Sequence, residues 1–196
     1  MKNKNPYIQL CNHIAQNIKQ KENDLLEETR AIFQPGFIKK EGFFVMEGDI
    51  PDKLAFITNG LMKIFIVDLD GNEWVTHFSA ENMFCSSYYA YLNQTESEMY
   101  IQAMEDTEYL YILQNVYNQL IHTSLEWSNN ARIFTEKLYA ESAKREQALL
   151  KLKGEERYQQ FKHEHREIFD RIPQKDIASY IGLTPVSLSR IRKRLG

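Results

Sequence analysis

The stretch PQKDIASYIGLTPVSLSRIRKRL, residues 173–195, decides the fold. Its spacing predicts two short helices joined by a tight turn. Pro173 opens the first helix, because a proline's missing N–H costs nothing in the first turn. Ala178 is small enough to let a second helix cross close by. Gly182 stands where the first helix must end and the chain reverse, a place that favours a residue free to take positive φ. Thr184 then caps the second helix and Pro185 fills its first position. Leu188, Ile191 and Leu195 recur at i, i+3 and i+7 and predict the inward face. Val186, Ser189, Arg190 and Lys193 are left on the other side, with Arg192 and Arg194 near them. The pattern is that of a helix–turn–helix whose basic second helix suits a major groove. Two amphipathic helices around a glycine also occur in other all-α domains, and arginines at a helix C-terminus also suit its dipole. The rest of the chain decides between the two.

The net charge of −3 looks wrong for a nucleic-acid binder until it is divided. Residues 1–150 carry 13 Lys+Arg against 21 Asp+Glu, and residues 151–196 carry 11 against 6. A segment of −8 is followed by one of +5, and the basic segment holds the paired helices. A hydrophobic fraction of 43% over 196 residues excludes global disorder and allows one large or two small domains. The two cysteines, Cys11 and Cys85, have no metal-type spacing and fit a reduced, cytoplasmic protein. No apolar run long enough for a membrane span or a signal peptide is present.

Upstream, residues 34–113 change character. Gly36, Gly42, Gly48, Gly60 and Gly71 punctuate strand-like runs: FFVME, LAFIT, LMKIFIVD and EWVTHFS, followed by MYIQAM (99–104) and EYLYIL (108–113). Asn59-Gly60 and Asp70-Gly71 are expected to turn hairpins, since both central residues tolerate positive φ. Short, evenly spaced strands predict a β-sandwich or barrel. The interruption AENMFCSSYYAYLNQTES (80–97) is aromatic, polar and partly helical in pattern, as a cavity wall would be. Before the strands, Ile8, Ile14, Ile18, Leu25 and Leu26 predict a helix over 7–33.

After the strands a short helix is expected over 115–122 and a long one from about Ser124 to Lys153. Trp127, Ala131, Phe134, Leu138, Ala148 and Leu152 follow a heptad track, with Glu141 and Arg145 as a polar break. Such a helix is about 45 Å long at 1.5 Å per residue. Its seam is expected to meet a second copy in a parallel dimer, though packing on the chain's own strands also fits the pattern. Trp127, Ala131, Phe134, Leu138 and Arg145 are the expected dimer-interface residues. Gly154 interrupts the pattern and is the expected hinge. Tyr158, Phe161, His165 and Ile168/Phe169 predict one more amphipathic helix.

In this order the chain resembles the CRP/FNR family of bacterial transcription regulators, over about residues 25–195. VMEGDIPDKLAFITNGLMKIF (45–65) and DIASYIGLTPVSLSRIRKRL (176–195) carry the resemblance. The LTPVSLSRIRK variant is similar to the Bacteroidetes branch of that family. The resemblance implies an α+β chain in three parts. Residues 1–122 would form N-terminal helices and a cyclic-nucleotide-binding-like β-barrel, a double-stranded β-helix or jelly roll. Residues 123–153 would be a dimerisation helix, and residues 154–196 a winged-helix-like helix–turn–helix domain. It also implies a cytoplasmic homodimer on a palindromic double-stranded DNA operator, with RNA polymerase as a further partner. By the same match Arg190 would contact a guanine, Ser189 bases, and Ser187 and Thr184 phosphates; Pro185, Val186 and Lys193 complete the expected DNA-binding set. Val186 departs from the glutamate that many members carry, and valine makes only apolar contact, for example with a thymine methyl.

The nucleotide-binding branch carries a Gly-Glu early in the interrupting segment and an Arg-Ser/Thr-Ala near its end. Neither is present here. No arginine or lysine lies between Lys63 and Arg132, and Glu96-Ser97-Glu98 would repel a phosphate. Cyclic AMP and cyclic GMP are therefore not expected to bind, and the pocket reads as degenerate. Phe84, Cys85, Ser86, Ser87, Tyr88 and Ser97 are the candidate pocket for an unknown small-molecule effector; Ser86 and Ser87 as helix caps, with the tyrosines as core and rim, is the other account of the segment. Two distant cysteines exclude an iron–sulfur cluster. A lone strand histidine such as His77 is a weak haem ligand candidate, and His163 and His165 point apart on a helix. No metal and no cofactor is expected. Without a phosphate-cradling glycine loop, HExxH or nucleophile elbow, no enzyme is expected. A ligand-binding or protein-interaction module, whose paired helices dock a partner protein, is the alternative that Pro185-Val186 suggests.

Overall fold

The computed structural model describes residues 5–16 and 22–195, which form two compact units. One comprises residues up to 64 together with 78–136; the other comprises 65–77 together with 137 onward.

The first unit opens with α1 (Pro6–Ala15) and α2 (Glu22–Ile32). Pro6 stands in the first turn of α1, and Asn5 Oδ1 accepts the Tyr7 backbone N–H at 3.0 Å. Cys11 Sγ and Thr29 Oγ1 lie 3.1 Å apart, so α1 and α2 pack side by side. The helix expected over 7–33 is therefore two helices. Doubling back lets Leu10, Ile14 and Leu25 enter one buried cluster, which a single straight helix would not allow. Ile18 lies outside the described residues.

Eight strands follow: β1 (Gln34–Ile38), β2 (Phe43–Val45), β3 (Lys53–Asn59), β4 (Leu61–Val67), β5 (Glu73–Ala80), β6 (Phe84–Cys85), β7 (Tyr100–Ala103) and β8 (Thr107–Leu113). They form two four-stranded sheets, ordered β1-β8-β3-β6 and β2-β7-β4-β5. β8 pairs antiparallel with both β1 and β3, β6 with β3, and β7 with β2. The period-two alternation of β3 splits its side chains. Ile57 joins Val45, Met62, Ile64, Cys85 and Ile101, drawn from both sheets, in one buried cluster. Leu54 and Phe56 face the other way, with Leu110 and Ile112 of β8, onto the helices. Covered on both faces, β3 reads as the continuous apolar run LAFI rather than as alternation.

The Asp70-Gly71 turn joins two neighbouring strands, β4 and β5, with Gly71 at φ +82°. The Asn59-Gly60 hairpin does not form, because β3 and β4 belong to different sheets. The chain crosses between sheets there, and Gly60 passes so close to Thr107 that a Cβ would lie 2.7 Å from its Cα. Close approach, with φ +122°, is why glycine is needed at that point. The interrupting segment holds the short β6 and α3 (Tyr88–Asn93). α4 (Gln114–Thr123) and the first turns of α5 (Leu125–Lys151) complete the unit.

The second unit contains the rest of α5, the β4–β5 turn, α6 (Gly154–Glu164), a 3-10 turn at Phe169–Arg171, α7 (Gln174–Tyr180) and α8 (Pro185–Leu195). Tyr158, Phe161, Ile172, Ile177, Ile181 and Leu188 are buried. The amphipathic helix expected to reach Phe169 stops at Glu164, with His165 as its C-cap. Gly154 is the first residue of α6, and a Cβ there would meet both Leu183 methyls at 3.0 Å. Asp68 clamps the β4–β5 turn by accepting the Asp70 and Asn72 backbone N–H groups and Trp74 Nε1–H, the last at 2.7 Å. These bonds, the Trp74 bond above all, hold its carboxyl down to about 2. Ser179 ties α7 to β5: its hydroxyl donates to the Glu73 carbonyl at 2.7 Å and accepts the Val75 N–H at 2.8 Å.

Candidate nucleic-acid interface

α7 and α8 are held by the features read from the sequence. α7 ends at Tyr180, and Gly182 takes φ +67°, the left-handed conformation that lets the chain reverse. The Leu183 N–H closes the turn on the Ala178 carbonyl at 2.8 Å. Thr184 Oγ1 accepts the Ser187 N–H at 3.1 Å, so it caps α8, and Pro185 occupies the first helical position. Leu188 and Ile191 are buried, as the i, i+3 spacing predicts. Leu195 is 42% exposed, because the last turn of α8 runs past the unit's core.

The opposite face of α8 is open. Val186 is 61% exposed, and Ser189, Arg190 and Lys193 are exposed with it. Ser187 is half-buried and lies 2.9 Å from Thr184 Oγ1, so it belongs to the cap. Arg194 reaches back to Glu155 at 3.1 Å, which leaves Arg190, Arg192 and Lys193 as the outward cations of this helix. The arrangement is a capped helix that presents Val186 together with Arg190, Arg192 and Lys193 to solvent.

The six candidate effector residues lie in the first unit, around β6 and α3. Ser86 Oγ donates to the Lys53 carbonyl at 2.9 Å, and Ser97 Oγ donates to Ser87 Oγ at 2.9 Å. Ser87 is the N-cap residue of α3, yet its side chain makes no cap bond. Burial pushes the Cys85 thiol up to about 12, so it is not a reactive thiolate. Tyr88 OH meets Tyr117 OH and Thr135 Oγ1, and its ring meets Phe134 edge-on. The six divide between two clusters: Cys85 lies in the one between the sheets, Phe84 and Tyr88 pack on the helix-facing one, and Ser87 and Ser97 bond each other.

Four of the five expected dimer-interface residues contact the chain's own residues. Trp127 is buried beside Phe33 and donates its Nε1–H to Glu28 at 2.7 Å. Ala131 packs on the helix-facing cluster, and Phe134 meets Phe84 with ring centroids 5.4 Å apart. Arg145 donates to the Tyr180 carbonyl at 3.2 Å and the Val75 carbonyl at 3.0 Å, with its guanidinium over the Tyr180 ring. The structure gives Leu138 a half-buried position. The same apolar spacing serves a seam and a self-packed face, which is why periodicity does not separate them.

No family model matches the chain, and no curated protein matches its sequence. Solved structures do match it. FixK2 from Bradyrhizobium japonicum is similar at 15% identity over 84% of each chain, with a TM-score of 0.76. CLP from Xanthomonas campestris, a c-di-GMP responsive global regulator, is similar at 17% identity over 87% of this chain and 89% of that one, at 0.69. A protein from Eubacterium rectale described as a crp/fnr family transcriptional regulator is similar at 15% identity over 87% and 81%, at 0.71. This chain has the CRP/FNR regulator fold.

Within that fold, the second unit holds a cluster that the sequence does not single out. A cavity of about 250 Å³ is lined by α5, α6 and the end of α7, with His77 of β5. Its aromatic side is a cluster of tilted and edge-on rings: His165 lies 4.5 Å from Phe161 and 5.5 Å from Tyr180, centroid to centroid. Burial lowers His165 below the ordinary histidine range, against the pull of Glu164, and raises the Tyr180 phenol to about 12. Glu141 receives His77 Nε2 at 3.4 Å, and this bond lowers its carboxyl. Lys144 and Gln160 both bind Glu164. The signal is hard to see because these residues stand on four separate elements. Among the described residues no group of His, Cys, Asp and Glu is arranged to hold a metal ion, and no helix is long and apolar enough to cross a membrane.

Proposed function

We propose that this chain is a CRP/FNR-type, sequence-specific DNA-binding transcription regulator that works as a homodimer and is not an enzyme. One observation carries the reading: α8 is capped by Thr184 and turned by Gly182 so that Val186, Ser189, Arg190 and Lys193 stand exposed on one helical face. In this reading α7–α8 is the helix–turn–helix of a C-terminal winged-helix-like domain, and the two sheets form the jelly-roll barrel of a cyclic-nucleotide-binding-like domain. Arg190 reads a guanine, Val186 contacts a thymine methyl, and Thr184, Pro185, Ser187 and Lys193 lie along the phosphates.

Two copies would meet through α5. With Trp127, Phe134 and Arg145 engaged in their own chain, self-association rests on the opposite track. There Leu125, Tyr139 and Leu150 are 82%, 75% and 79% exposed at heptad-compatible spacing. A two-fold dimer presents two α8 helices to half-sites one DNA turn apart, about 34–36 Å. Cyclic AMP is not the effector in this reading. No cation stands between Lys63 and Arg132 to pair a cyclic phosphate, and Ser86, Ser87 and Ser97 are bonded elsewhere. The reading places the protein in the cytoplasm, with RNA polymerase as the partner that converts DNA binding into regulation.

The test is binding to duplexes enriched from a random-sequence pool, at several salt concentrations. A two-fold symmetric enriched sequence, bound with a steep salt dependence, supports the proposal. Absence of any enriched sequence, with a stoichiometric protein partner recovered instead, favours the reading in which exposed Val186 anchors a protein–protein contact.

A further inference from the structure

The cavity of the second unit has the chemistry of a ligand site, and nothing described above uses it. Its lining carries three permanent cations, Lys144, Arg145 and Arg157, against two carboxylates, Glu141 and Glu164. Both carboxylates are already engaged, Glu164 by Lys144 and Gln160 and Glu141 by His77. Arg145 gives its donors to two backbone carbonyls. Arg157 is different. Its terminal nitrogens are anchored on the carbonyls of Leu149, Leu152 and Gly182, yet its buried Nε–H has no hydrogen-bond partner among the described residues. A buried charged donor left unpaired is costly, so an acceptor that reaches it is favoured.

The remaining surface is His165 together with Ala148, Leu149, Phe161, Tyr180 and Ile181. A dry apolar cavity of about 150 Å³ holds benzene. This cavity, about 250 Å³ and lined by charged as well as apolar groups, has room for a single ring and a short acid arm.

We propose that this cavity binds a small monocarboxylate with an aromatic or compact apolar body. The carboxylate is received by Arg157, and the body lies against Phe161, Tyr180 and Leu149. The single negative charge matches the surplus of one cation in the lining. A dianion or a phosphate ester would instead face Glu141 and Glu164. Because the walls come from α5, α6 and α7, the ligand bridges all three, and occupancy stiffens the support on which α8 stands. The inference goes beyond the DNA-binding proposal, and ligand binding does not depend on it.

The test is calorimetry on the full chain with phenylacetate as probe and phenylacetamide as its neutral counterpart. Phenylacetate is expected to bind one per chain and to raise the melting temperature saturably. The amide is expected to bind about ten- to a hundredfold more weakly, the range of a lost charge-assisted hydrogen bond. Ala148→Phe, which fills the space, is expected to abolish binding. Arg157→Lys keeps the charge but removes the Nε–H; it gives the same answer by weakening binding at least several-fold, and covers the case in which the phenylalanine variant folds poorly. No saturable binding at millimolar phenylacetate overturns the proposal. So does equal affinity for the amide, or binding that survives both substitutions. A chain that binds phenylacetate but no DNA leaves this inference standing and removes the regulator reading, so the two fail separately.

Discussion

Gly182 is the position where a single methyl group tests the turn most cleanly. Alanine at φ +67° pays the left-handed penalty, about 1–2 kcal/mol. Against this, a less flexible unfolded chain returns about 0.4–1 kcal/mol. The new Cβ would also lie 2.9 Å from Leu149 Cδ2, closer than such atoms are found. That atom is the end of a side chain, so relief comes from moving Leu149 off its rotamer, at about 0.5–1.5 kcal/mol. The net expectation for Gly182→Ala is a loss of about 0.5–3 kcal/mol. In a cooperative unfolding of a chain this size that lowers the melting temperature by about 1–12 °C. Gly71→Ala is the internal control. It has φ +82° but nothing within 4 Å of the added Cβ, so it carries the backbone term alone and falls below Gly182→Ala. Thermal and urea unfolding of both variants, with the wild type, measure the difference. A Gly182→Ala chain as stable as the Gly71→Ala chain, or more so, refutes the role given to the α7–α8 turn.

Other consequences follow from named contacts. Thr184→Ala removes the cap on the Ser187 N–H and is expected to cost about 1 kcal/mol, with Thr184→Ser restoring most of it; urea midpoints decide. Phe161→Ala empties a buried site among His165, Tyr180 and Phe169 and is expected to cost about 3–5 kcal/mol; a loss under 1 kcal/mol means that the ring cluster is not a core. His165 supplies a pH signature. Burial holds it below the ordinary value, so below about pH 6.5 the unfolded chain takes up more protons than the folded one. Stability from this group is therefore full above that pH and is lost on acidification, in a site faced also by His77, Glu141, Glu164 and Lys144. Glu141, lowered by its His77 bond, adds a further loss in the carboxylate range. Urea unfolding between pH 7.5 and 5.5 is expected to lose its slope in His165→Gln; an unchanged slope contradicts the assignment.

Local signals carried much of the fold. The apolar run LAFIT, the Asp70-Gly71 turn and the Gly182-Leu183-Thr184-Pro185 run each act within a few residues, and each formed as written. What failed was non-local. β6 has two residues and exists only because β3 lies beside it. β1, QPGFI, contains a proline and a glycine and is ordered by pairing with β8. Gly60 answers to Thr107, 47 positions away, rather than to a hairpin. The site was legible in the same proportion. α8 announced its exposed face by periodicity, except at Leu195, where the helix outruns its support. The cavity was not legible: His77, Arg145, Arg157 and Tyr180 have no common spacing and meet only through tertiary packing.

The central claim is that α8 reads DNA with Arg190. Its most direct test is titration of wild type and Arg190→Ala against a duplex enriched by the wild type and against a scrambled one, by fluorescence anisotropy at two salt concentrations. A bidentate arginine–guanine contact carries about 1–3 kcal/mol of discrimination. Arg190→Ala should therefore weaken the enriched duplex by about 5- to 150-fold, relax the preference at one base position and leave scrambled binding nearly unchanged. Equal affinity of the two proteins for the enriched duplex, or no preference for it by the wild type, contradicts the account.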